Sequence, residues 1–185
     1  QEVQYTNVYN SRKHNFDLLR KQNHEEMVKL INSSLPENAG IVRIHVAGDF
    51  FSLPYMHAWY MVAALNPNVL FYAYTKSLKF WVGGINELPI LHNFVLTASY
   101  GGRDDHMIDE FNLRSTKVVF SEAEAEELGL AIDHDDSHAA KPSLRDNSFA
   151  LLIHGTQPAG SEASTALKKL KGKGSYSRKK VKVSA

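Results

Sequence analysis

Apolar residues along this chain recur at two alternating periods. Phe16, Leu19, Met27, Leu30 and Ile31 return at near-helical spacing with charges between them, which predicts a helix over residues 9–34. Ser33, Ser34, Pro36, Asn38 and Gly40 end it. A β-rich run follows at 41–46 and is broken by Ala47-Gly48-Asp49. Ser52 is placed to cap a helix that carries Pro54 in its first turn and runs to about Leu65, where Asn66-Pro67-Asn68 closes it. The alternation then repeats. Strands are expected at 69–74, 93–99, 117–120 and 149–154. Between them lie a short helical or irregular stretch at 79–87, a helical turn or more at 104–111, and a helix at 122–128 behind a capping box of Ser121 and Glu124.

Strands that alternate with helices, several of them almost continuously apolar, predict an α/β fold with a parallel sheet covered on both faces. Five strands are too few for a closed eight-stranded barrel. The expected architecture is therefore a partial (β/α) barrel or an open, mostly parallel sheet with flanking helices. In either, a ligand sits beyond the C-terminal ends of the strands.

The 185 residues suit a single core-forming domain, expected over 1–166. No apolar run approaches the ~20 residues that span a bilayer, so no membrane partner is expected and the setting is read as cytoplasmic. With no cysteine, the chain forms no disulfide and ligates no iron–sulfur cluster. It begins with Gln1, as a piece of a longer protein would.

Charge adds a second region. Lys168, Lys169, Lys171, Lys173, Arg178, Lys179, Lys180 and Lys182 are 8 of the 21 basic residues, with no acidic residue among them. The remainder carries 13 basic against 20 acidic residues, a balance of −7. Residues 167–185 therefore read as a basic, flexible tail that could sit on nucleic-acid phosphates or on a host protein, or simply solubilise the chain.

Polar groups gather at the expected strand ends. The ligand-binding candidates are Gly48 and Asp49, then Thr75 and Lys76, then Ser99, Gly101 and Gly102, and finally His154. The plainer alternative is that polar residues end strands everywhere. Asp49 could accept hydrogen bonds from a ligand ammonium or ribose, or merely cap the next helix.

Divalent-metal candidates are His45, Asp104, Asp105 and His106, with Asp109 nearby, and a second run of Asp133, His134, Asp135, Asp136 and His138. Neither run has a tight ligand spacing, and no phosphate-binding loop, nucleophile elbow or zinc-finger pattern occurs. Tyr55, Trp59 and Tyr60 are expected to pack on the sheet as core.

Several stretches together resemble the phage "gene product 88" domain family: Arg43-Ile44-His45-Val46-Ala47-Gly48-Asp49-Phe50, Tyr55, Trp59, Asn66-Pro67, Phe71-Tyr72-Ala73-Tyr74-Thr75-Lys76 and Ser99-Tyr100-Gly101-Gly102. That resemblance implies a phage protein in the host-cell cytoplasm and brings no established activity. The layout is also similar to radical S-adenosylmethionine enzymes, partial (β/α) barrels in which a Gly-Gly-Glu-type turn holds the amino group of that cofactor. Ala47-Gly48-Asp49 stands in the matching place. The cysteine segment that would hold a [4Fe–4S] cluster is absent from this sequence. The resemblance implies a small molecule of nucleoside type, with S-adenosylmethionine the leading candidate. A metal-dependent hydrolase or nuclease, and a non-catalytic phage accessory protein that binds nucleic acid or a host protein, are the alternatives.

Overall fold

The structure, a computed structural model, describes residues 5–176. Six strands form one all-parallel sheet: β1 (Ile41–Arg43), β2 (Leu70–Thr75), β3 (Phe94–Ser99), β4 (Ser115–Val119), β5 (Ala131–Asp133) and β6 (Phe149–Leu152). Their order is β1-β2-β3-β4-β6-β5, curled into a half-barrel. The expected α/β class and parallel sheet are both observed. The helices are α1 (Thr6–Leu19), α2 (His24–Ser33), α3 (Leu53–Leu65), α4 (Leu78–Val82), α5 (His106–Glu110), α6 (Glu122–Glu127), α7 (Ser137–Ala140) and α8 (Glu162–Lys169).

Residues alternate between the two faces of the sheet, as strand geometry requires. Phe71, Ala73, Phe94 and Leu96 pack outward with Met27 and Ile31 of α2 and Tyr55, Met56, Ala58, Tyr60, Val62 and Ala63 of α3. Helix α3 is apolar nearly all round because it is buried between the sheet and α2. Ala150, Leu152, Val119 and Ala125 of α6 continue the outer core at the other end. The alternate residues Tyr72, Tyr74, Thr97, Phe149 and Asp133 share the inner face.

Four departures from the expected elements have physical causes. The single helix over 9–34 is two helices. Asn23 takes an extended backbone and accepts from the Glu26 N–H, while the Glu26 carboxylate accepts from the Asn23 N–H, a reciprocal cap that forces α1 to stop. The first strand is only three residues long, so His45 to Asp49 form an irregular turn. Strand β5 is likewise three residues long, too short to show alternation, and it takes the outer edge while β6 inserts beside β4. Ser121 does cap α6, but Glu124 reaches back to the Phe120 N–H rather than to that of Ser121.

The basic stretch expected to be a flexible tail is packed on the body as far as Tyr176. Leu170 joins the Val119–Ala125 cluster. Ser175, buried, accepts from Leu152 N and donates to the Asp133 carbonyl, bridging β6 and β5. Arg178, Lys179, Lys180 and Lys182 lie outside the described residues. Gly174 sits where a Cβ would come 2.3 Å from the Ile153 carbonyl oxygen. Gly174→Ala should therefore lower the urea midpoint by the equivalent of about 1–3 kcal/mol with an unchanged m-value. An unchanged midpoint would show that this strap yields without strain.

Candidate functional site

The loops after β1, β2 and β3 are tied together by the residues singled out from the sequence. The Asp49 carboxylate accepts from the Thr75 hydroxyl at 2.6 Å, the Phe50 N–H at 2.7 Å and the Lys76 N–H at 2.6 Å. Lys76 Nζ donates to the Gly101 carbonyl at 3.2 Å. Asp105 accepts from the N–H groups of Gly101 and Gly102, both at 2.8 Å. Asp49 does not cap the next helix; Ser52 does, accepting from Tyr55 N. Gly48 and Gly101 have φ of +83° and +96°, so both turns need glycine's conformational range.

Ser99 ends β3 on the inner face, opposite Thr116. His154 stands in a different set of contacts, with Nδ1 2.9 Å from the Leu152 carbonyl oxygen and its ring edge-on to Tyr176. His45, Asp104, Asp105 and His106 do not converge. Among the described residues no three His, Cys, Asp or Glu side chains are placed to hold a metal ion. In the second acidic run, buried Asp133 is turned onto its own loop and accepts from Asp135 N, Ser137 Oγ and His138 N.

Beside the β1–α3 turn lies a groove of about 880 Å³, bounded by α1, α2 and residues 44–51. Tyr9, Phe16, Phe51, Tyr55 and Trp59 supply aromatic wall, and residues 46–48 supply an exposed stretch of chain beside half-buried Asp49. Phe51 stacks on Tyr55 with centroids 4.3 Å apart, and Phe16 meets Phe51 edge-on at 5.2 Å. His45 lines the same groove. Its Nε2 lies 3.2 Å from the Tyr55 hydroxyl, while Nδ1 is buried with no protein partner. Burial pushes its pKa down to about 4 against the opposing pull of Asp49, so the ring is neutral at pH 7.

On the inner face a second polar centre forms around Asp136. Its carboxylate accepts from Arg43 at 2.8 Å, Tyr72 at 2.9 Å, Tyr74 at 2.8 Å and Tyr176 at 2.5 Å. Arg43 lies over the rings of Tyr74 and Tyr176. Burial, reinforced by the Asp136 charge, pushes the three phenols above their usual range. Arg114, its pKa pulled down to about 10 by burial, donates to the Thr97 hydroxyl and to the carbonyls of His138 and Arg145. The sequence reading had placed Asp136 in a metal run and had not singled out Arg43, Tyr72 or Tyr176 for this centre. One signal was present, since Tyr72 and Tyr74 are two apart in a strand and must share a face.

A family model described as "Gene product 88" matches residues 1–171. The "Gene 88 protein" of Mycobacterium phage L5 is 38% identical over 72 residues, a match that covers 34% of this chain and 30% of the length of that curated relative. No solved structure matches the chain.

Two outcomes follow from this geometry. Asp136→Ala strands a half-buried guanidinium and three phenols, and should cost about 3 kcal/mol or more in urea unfolding, against about 1 for Tyr176→Phe. Equal, small losses would mean that the centre is not a buried charge pair. His45 titrates near 6.5 when unfolded and near 4 when folded. The unfolded chain thus binds a proton that the folded chain refuses, and stability falls as pH drops through that window. In His45→Gln the unfolding free energy should fall less steeply between these pH values; an identical slope would mean that His45 is not held neutral.

Proposed function

We propose a function from one premise: the chain belongs to the Gene product 88 family. On that premise it is a phage-type α/β protein, and we infer that it binds a nucleoside-type small molecule in the groove between α1, α2 and the β1–α3 turn. The observation that carries this reading is the unpartnered Nδ1 of His45, buried at the edge of a groove with an aromatic wall. A buried polar atom without a partner is costly, and a ligand or water that supplies one relieves that cost. A neutral imidazole offers either a donor or an acceptor at Nδ1, depending on which way the Tyr55 hydrogen bond runs.

The groove's volume falls within the range of small-molecule sites. Its aromatic side chains suit the face of a planar base. The Asp49–Thr75–Lys76 clamp fixes the turn that forms one wall, so these residues support binding by holding backbone in place. Asp49 Oδ2 takes one donor, from Lys76 N, and retains capacity for a ligand ammonium. S-adenosylmethionine, which carries both a purine and an ammonium, is accordingly the first ligand to test. With no cysteine in the sequence, the proposal for this chain is binding and not reductive cleavage.

The test is calorimetric titration with S-adenosylmethionine, S-adenosylhomocysteine and ATP. Saturable binding of at least one is expected. Phe16→Ala, which removes a half-exposed ring from the wall, should weaken it by about tenfold, roughly the loss of one aromatic contact, with the melting temperature unchanged. Silence with all three ligands would overturn the nucleoside reading.

A further inference from the structure

We propose that the turn carrying Lys168, Lys169, Lys171 and Lys173 is a docking surface for the phosphodiester backbone of nucleic acid. All four side chains are exposed, and none makes an ion pair among the described residues. That holds even though Leu170, in their midst, packs against the cluster containing Ala125 of α6, a helix that exposes Glu122, Glu126 and Glu127.

The turn is held at both ends. Leu170, partly buried, packs against the core on one side, and on the other Gly174 lies against Ile153 while Ser175 bonds to Leu152 and Asp133 and Tyr176 to Asp136. Within it, Lys173 N donates to the Leu170 carbonyl and Lys171 N to that of Lys168. The cations are therefore presented on a fixed backbone, which limits the entropy lost on docking.

Cations in the last turn of a helix are also expected from the helix dipole, which accounts for Lys168 and Lys169. It does not account for Lys171 and Lys173, which lie past the helix end. Lys171 follows the C-cap residue with φ of +48°, a left-handed position that glycine ordinarily fills. A lysine there keeps a charge at a conformational cost.

The partner's chemistry follows from what surrounds the charges. The described part of the turn exposes no large apolar side chain to enter a membrane. It carries neither a carboxamide nor a guanidinium, and exposed lysines on a short turn favour phosphate contacts over base edges. The rest of the chain, outside residues 167–185, has a charge balance of −7 and repels a polyanion, so docking is confined to this end. Arg178, Lys179, Lys180 and Lys182 follow in the sequence and lie outside the described residues.

The test is fluorescence anisotropy of a labelled duplex with the full chain, from about 50 to about 200 mM KCl. Replacing all four lysines by Gln should lower affinity at the low-salt end at least about tenfold and make the log–log salt slope shallower by about 3–4, since each phosphate contact contributes about 0.9. Lys21→Gln with Lys29→Gln, in the turn after α1 and on α2, should leave the slope as it was, and melting temperatures should match throughout. An unchanged slope in the quadruple variant would overturn the proposal. So would binding to phosphatidylserine vesicles without binding to the duplex.

Discussion

The guanidinium of Arg43 and the carboxylate of Asp136 meet at 2.8 Å, although they belong to opposite edges of the sheet. Arg43 is the last residue of β1, and Asp136 lies three residues past β5. In a flat six-stranded sheet those edges would be roughly 24 Å apart. The pair forms because the sheet is curled and because the chain after β5 turns back across the inner face to meet β2 and β3. Asp136 itself takes a left-handed backbone to aim its carboxylate there. The tie reaches both proposed surfaces. Arg43 Nε also donates to the His45 carbonyl, which places the groove's histidine. Tyr176, donating to Asp136, ends the strap that holds the lysine turn.

The rim has a different logic from the one its composition suggests. Polar groups at the ends of successive strands look like a site waiting for a ligand. In the structure Asp49, Thr75, Lys76, Gly101, Gly102 and Asp105 hydrogen-bond chiefly to one another. Loops that leave a sheet carry backbone groups that must find partners, and carboxylates placed between consecutive loops provide them. Of the residues that line the aromatic groove beside the rim network, His45 and Trp59 each keep a buried ring nitrogen without a protein partner.

Much of this was legible in the sequence because it rests on local rules. Apolar runs of six residues placed β2 and β3 to within a residue or so, and Ser52 with Pro54 gave the start of α3. Gly48, Asp49, Thr75, Lys76, Ser99, Gly101, Gly102 and His154 read as one rim from their positions after strands; Asp49, Thr75, Lys76, Gly101 and Gly102 meet in one network, and His154 stands apart. What could not be read was anything set by tertiary reach. Strand β5 has three residues, and its place at the edge depends on β6 inserting later in the chain. Asp136 sits 93 residues from Arg43, and no local pattern pairs them. The run Asp133-His134-Asp135-Asp136 resembles a ligand cluster, yet its first and last carboxylates point to different partners, one to its own loop and one to the tyrosines. Lysines at 168–173 looked like a tail because composition carries no sign of the buried Gly174 and Ser175 that follow.

An apolar inner face would fill the same volume as the Arg43–Asp136–tyrosine centre, and buried ion pairs often add little to stability over such a replacement. Direction is what an apolar core would lack. The four-residue α7 has one buried residue, Ala139, and is too short to locate itself by hydrophobic contact. Hydrogen bonds from Arg43, Tyr72, Tyr74 and Tyr176 fix Asp136 at its entrance, and Arg114 fixes the carbonyl of His138 within it. The charge network thus gives the crossing segment one position on the inner face. Through the His45 carbonyl and the Tyr176 strap, that position sets where the groove wall and the basic turn can lie.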